Sequence, residues 1–196
     1  TSMISIRHIG PVVYPIIIGI FMLGGSPSQL DSQPRDPDLA PYIPTPQEVV
    51  NRMLELAEVT TTDIVYDLGS GDGRIPITAA KRYGARGVGI DFDPQRIAES
   101  NANARREGVT DRVEFILGDA LQADVSEATV VTLYLLSSSN IKLRPILTRQ
   151  LSAGTRIVSH AFDMGDWLPD RIEIFKDYRG NPRTLYLWQF DGQPRN

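Results

Sequence analysis

From residue 46 onward the chain switches repeatedly between two spacings of apolar residues, one helical and one extended. Residues 46–58 place Val49, Val50, Met53, Leu54 and Ala57 on one helical stripe. Pro46 suits the first turn of that helix. Residues 64–68 are a short apolar run, read as a strand, and a glycine-dense loop follows. Residues 74–83 read as a helix that tolerates Pro76 in its first turn, and residues 87–90 as a second strand. Asp93 and Pro94 make an N-cap and first-turn pair for a helix running through Glu107. Residues 113–117 form a third strand. Residues 129–136, almost continuously apolar, form a fourth, as expected of a buried parallel strand. A helix kinked at Pro145 spans 140–151, and a fifth strand spans 155–159. Residues 172–178 and 184–190 alternate around "RGNPR" and read as a closing hairpin. This succession predicts an α/β domain, doubly wound, with an open and mostly parallel sheet. Ligands of such sheets bind beyond the carboxyl ends of the strands.

The chain ahead of this pattern has a different character. Residues 9–30 contain no charged side chain, and the strongly apolar part, Val12 to Leu23, is about a dozen residues long. That length suits a signal-peptide core better than a spanning helix, which needs about 20 residues. Taken over residues 9–25, it also suits a short membrane anchor. Pro11 and Pro15 weaken its helical start. The expected organisation is a hydrophobic anchor or signal segment at 1–25, a Pro/Ser/Asp-rich linker at 26–39 and a folded domain at 40–192.

Composition narrows the chemistry. Hydrophobic residues are 41% of the 196, enough for a sizeable core, and the formal net charge is −4. That is not the basic footprint of a nucleic-acid binder, so no nucleic-acid partner is expected. There is no cysteine, which removes disulfides, thiolate zinc sites and cysteine nucleophiles. With only His8 and His160 as histidines, no metal site is expected.

The stretch "YDLGSGDGRIP" concentrates the candidate chemistry. Gly69, Gly71 and Gly73 fall between a strand and a helix. The loop lacks the Gly-Lys-Ser/Thr ending of a P-loop, and its third glycine comes one residue early for G-x-G-x-x-G. Asp91 ends the second strand, about 20 residues beyond the loop, where a carboxylate can accept from two ribose hydroxyls. Asp119 follows the third strand. These acids share one sheet edge and would bracket a nucleoside, with ribose on Asp91 and base near Asp119 and Ala120. Asp67, at the mouth of the loop, would repel pyrophosphate but attract a cationic amine. A nucleoside with an amino-acid arm fits, and S-adenosyl-L-methionine is that molecule.

The segments "VYDLGSGDGR", "GVGIDFDP" and "FILGDAL" resemble the first three cofactor motifs of class I S-adenosylmethionine-dependent methyltransferases. Further blocks, "APYIPTPQEVVNRMLELA", "ATVVTLYLL", "GTRIVSHAF" and "DWLPD", resemble the archaeal broad-specificity and the mitochondrial protein lysine methyltransferases. The resemblance runs from about Pro41 to Phe190. It implies a Rossmann-like, seven-stranded sheet with an antiparallel last strand, and a methyltransferase domain over 40–192. It further implies that Asp67, Gly69, Gly71, Asp72 and Gly73 cradle the methionine part. Asp91 would take the ribose, Asp119 and Ala120 the adenine, and Tyr42 to Thr45 would fold over the cofactor.

The acceptor implied by the resemblance is a protein lysine. An apolar entrance would lower its pKa from about 10.4 by desolvation, so no strong base is required. Tyr42 and Tyr134 are the candidate catalytic residues, with Phe162 and Trp167 as further candidates for the entrance; Trp167 reads better as packing. Alternatives are a small-molecule N- or O-methyltransferase, for which His160 could be a base, and a cofactor-binding module without catalysis. The chain is expected to be a monomer, membrane-associated through residues 9–25 and facing the cytoplasm, where the cofactor is made. Export by a signal peptide is the alternative. Arg7 ahead of the apolar run favours it under the positive-inside rule.

Overall fold

A computed structural model describes residues 43–195. The segments at 1–25 and 26–39, and Tyr42, lie outside the described residues. The strands are β1 Ile64–Leu68, β2 Arg86–Asp91, β3 Val113–Leu117, β4 Val130–Leu133, β5 Arg156–His160, β6 Arg171–Lys176 and β7 Pro182–Gln189. The helices are α1 Gln47–Leu56, α2 Arg74–Tyr83, α3 Pro94–Glu107 and α4 Ser137–Gln150. The strands form one seven-stranded sheet in the order β3-β2-β1-β4-β5-β7-β6. Neighbours from β3 to β5 are parallel, while β7 runs antiparallel to both β5 and β6. The expected parallel sheet, reversed last strand and closing hairpin are all present. Strand order reverses between β1 and β4, and a crevice at such a switch point is where ligands bind.

Alternation along the strands divides the side chains between two faces. Tyr66, Leu68, Val88, Ile90, Val131, Leu133, Ile157 and Trp188 enter one core, which α4 covers with Leu143 and Leu147. Val65, Val130, Val158, Leu185 and Leu187 face the other way, against the stripe of α1 and against Ile75 and Ala79 of α2. The register places Asp67 beside Gly89 and Thr132, and Thr132 beside Val158. Asp67, Asp91, Thr132 and His160 therefore stand on this second face, at the carboxyl end of the sheet. At the opposite edge, Arg156 and Asp63 pair, and Arg156 also donates to the Ala57 carbonyl at 2.7 Å, tying α1 to the sheet.

Two boundaries differ from expectation. β4 stops at Leu133, three residues early, and α4 starts at Ser137 and carries Pro145 inside it. The Leu136 carbonyl accepts from the amides of Ser139 and Asn140 at 2.9 and 3.0 Å, which begins the helix. Leu135 is apolar because it packs over Gly69, not because it extends the strand. Tyr134 consequently lies just past β4. Asp93 caps α3 as expected, accepting from the Gln95 amide at 2.8 Å.

Candidate active site

The glycine loop leaves β1 and folds back on β2. The amides of Gly69 and Ser70 donate to the Ile90 carbonyl at 2.8 and 3.0 Å. Gly71 donates to Asp91 Oδ2 at 2.8 Å, and Asp93 donates to Asp91 Oδ1 at 2.9 Å. Asp91 is buried, and each of its oxygens keeps accepting capacity beyond these amides. Gly69 and Gly71 take left-handed φ values of 80° and 54°, which bring bare backbone to the cavity wall.

Asp67 is also buried. It accepts from the Thr132 hydroxyl at 2.7 Å, a neutral partner. Burial, reinforced by the nearby Asp91 and Asp72 carboxylates, pushes its pKa up to about 7. Asp72 is forked by Arg74, whose Nε and Nη2 donate to it at 2.9 and 2.5 Å. Arg74 Nη1 donates to the Thr45 carbonyl at 2.7 Å. One guanidinium thus ties the segment at 43–45 to the glycine loop.

A cleft of about 890 Å³, including its open mouth, lies over these residues. Thr45, Asp67, Gly69, Gly71, Asp72, Asp91, Ala120 and Tyr134 all line it. Two expected residues do not. Asp119 turns its carboxylate to the Leu121 amide at 2.9 Å, capping the short helical turn Ala120–Gln122. Gly73 lies behind the loop, where a Cβ would come within 2.6 Å of Phe115 and 2.7 Å of Ser100. The sequence reading missed Phe92 and Arg96, which also line the cleft. Phe92 is 42% exposed, directly after the strand-ending acid, and an aromatic there was a visible signal for a flat partner.

Tyr134 is half-buried and packs on two rings: His160 at 4.1 Å and Phe162 at 6.2 Å between centroids. Trp167 is buried against Trp188 and Phe190 in the core of the opposite face, so it is a packing residue.

Asp67, Asp72 and Asp91 converge on one cleft, and the hydrogen-bond partner of Asp67 is a hydroxyl that carries no charge. Such a donor set fits a ligand that combines an ammonium with a ribose, as S-adenosylmethionine does. The doubly wound sheet with this site at its switch point defines an S-adenosylmethionine-dependent methyltransferase.

Comparison with known proteins makes the placement specific. The ANTKMT methyltransferase domain family matches residues 67–171. A protein-lysine N-methyltransferase of Saccharolobus islandicus is 49% identical over 149 residues, covering 76% of this chain and 92% of that protein. An ATP synthase lysine N-methyltransferase of Xenopus laevis is 33% identical, covering 67% of this chain and 58% of its own length. A crystal structure from Salinibacter ruber, described as an RNA methyltransferase with S-adenosyl-L-homocysteine, superposes with a TM-score of 0.73. It is 57% identical and covers 79% of this chain and 97% of its own. The chain belongs to the ANTKMT methyltransferase family.

Proposed function

We propose that this methyltransferase acts on the side-chain amine of lysine in a protein acceptor. The observation that carries this reading is the 49% identity to a protein-lysine N-methyltransferase along almost all of that protein's length. The acceptor end of the cleft supports it. Tyr134 and Phe162 offer an aromatic wall, and burial together with the Arg183 charge holds the neighbouring His160 ring down at a pKa of about 4. A lysine entering such a wall is desolvated and favours its neutral, nucleophilic form. Bound S-adenosylmethionine supplies an electrophilic methyl on a sulfonium. In this reading Asp67 receives the methionine ammonium, Asp91 the ribose hydroxyls, and Ala120 and Phe92 flank the base. Tyr134 lines the approach of the amine, and the chain contributes alignment more than acid–base chemistry.

Incubation with labelled cofactor, a panel of proteins and total RNA tests the acceptor. Label is expected on lysine. Label confined to RNA, as the Salinibacter description suggests for that protein, or confined to metabolites, would overturn the reading. The net charge of −4 supports protein over RNA. We further read residues 9–25 as a segment that holds the domain at a membrane, facing the cytoplasm. It rests on the uncharged run alone, since no helix among the described residues is long and apolar enough to cross. Protease protection of the domain in intact cells, with cleavage only after lysis, would agree with it; cleavage from outside would overturn it.

Asp67 gives a pH prediction. Its folded pKa of about 7 lies above the ordinary 3.8, so the empty fold retains a proton that the unfolded chain releases between these values. Its contribution to stability is present at low pH and is lost as pH rises through about 7. An ionised Asp67 is what an ammonium needs, so cofactor affinity should rise with pH up to about 7. Below that it should fall by up to about tenfold per pH unit. In Asp67→Asn the affinity should be weak and this slope absent. Calorimetry across pH 5 to 8 checks both.

A further inference from the structure

His160 ends β5 and is 1% exposed, yet among the described residues neither Nδ1 nor Nε2 has a hydrogen-bond partner. Buried polar side chains are normally satisfied, and an orphaned one calls for an explanation. The register supplies one. Leu133 of β4 pairs with Ser159 of β5, so the next positions along both chains are Tyr134 and His160. Tyr134 has left the strand, but its ring still lies against His160, with centroids 4.1 Å apart and planes 32° from parallel. Without hydrogen bonds at its nitrogens, the imidazole is oriented by this ring contact.

The backbone beyond His160 adds a second observation. Ala161 adopts φ 67°, a left-handed conformation uncommon for a residue with a Cβ. The Phe162 amide donates to the His160 carbonyl at 2.9 Å, closing a tight turn, and the Ala161 amide donates to the Thr184 carbonyl at 2.8 Å. This turn returns Phe162 to Tyr134, 6.2 Å between centroids and 29° between planes. Backbone strain of this kind clusters at functional sites, where the surroundings hold it in place.

We propose that His160, Ala161 and Phe162 form a bracket that positions Tyr134 at the methyl-acceptor side of the cleft, with His160 as its principal positioning residue. The proposal rests on the reading that Tyr134 flanks the acceptor. The ring of His160, not its nitrogens, is the working part. Loss of the ring leaves Tyr134 free to move, and small misplacements near a reacting centre are costly in rate.

The test compares wild type, His160→Ala, His160→Phe and Ala161→Gly on the acceptor that wild type labels, with cofactor affinity measured separately. His160→Ala is expected to lower kcat/KM for the acceptor about tenfold with cofactor Kd unchanged, and His160→Phe to restore most of it. Ala161→Gly opens no cavity and relieves the strained φ, so it should keep thermal stability and still lose several-fold in acceptor kcat/KM. The proposal is overturned if the alanine and glycine variants both keep wild-type turnover. It is equally overturned if His160→Phe is as impaired as His160→Ala, or if cofactor affinity falls in step with turnover. Should wild type label RNA, the lysine reading fails while the variant-to-wild-type ratios still judge the bracket.

Discussion

Asp91→Ala is expected to weaken S-adenosylmethionine binding by roughly 10- to 150-fold, the equivalent of about 1–3 kcal/mol for hydrogen bonds lost at a buried carboxylate. Two effects combine. The carboxylate holds the amides of Gly71 and Asp93 at 2.8 and 2.9 Å, so alanine leaves two loop donors without their acceptor. It also removes the group placed to accept from the ribose. Asp91→Asn separates the two contributions. It keeps an oxygen for one amide, loses the charge, and should fall between wild type and alanine. Titration calorimetry gives the affinities and thermal melting checks that the fold survives. An alanine variant that binds as wild type does would remove Asp91 from the ribose site.

Gly89→Val is expected to cost about 3 kcal/mol of stability, a loss of about 6–12 °C in melting temperature for a domain of this size. Gly89 is inside β2, between β1 and β3, so the backbone has little room to shift. An added Cβ would lie 2.6 Å from Phe115 Cδ1 and 2.7 Å from Ser70 Oγ. The strain is steric and does not involve a special φ. Phe115→Leu in the same chain should recover part of the loss, because it withdraws the ring that the new side chain meets. Such a non-additive pair is the signature of direct contact. A Gly89→Val protein that melts with wild type would show that Phe115 yields freely.

Strands and helices are legible in the sequence because burial imposes its period on residues such as Val49, Val50, Met53 and Leu54. The cofactor acids are legible because Asp67 and Asp91 stand at strand ends, beside a loop whose glycines have few other uses. What escapes a reading of the sequence depends on contacts between distant residues. Gly73 looks like part of the cradle, but its missing Cβ makes room for Phe115. Asp119 looks like an adenine ligand, but its own next turn offers Leu121 as a nearer donor. β4 is shorter than its apolar run because Leu135 is apolar for packing, and apolarity alone does not say in which element a residue is buried. Arg74 reaching Thr45, and Tyr134 meeting His160, follow from the fold and from no local spacing.

The division of the sheet into two faces makes stability and turnover separable traits. Asp67, Asp91, Thr132 and His160 all point to the α1–α3 side, while Tyr66, Leu68, Ile90, Leu133 and Ile157 point to the α4 side. Volume-conserving apolar exchanges on the α4 side repack a core without touching a ligand-facing atom. Selection for heat resistance can therefore work on one set of alternating positions while selection for a new acceptor works on the other.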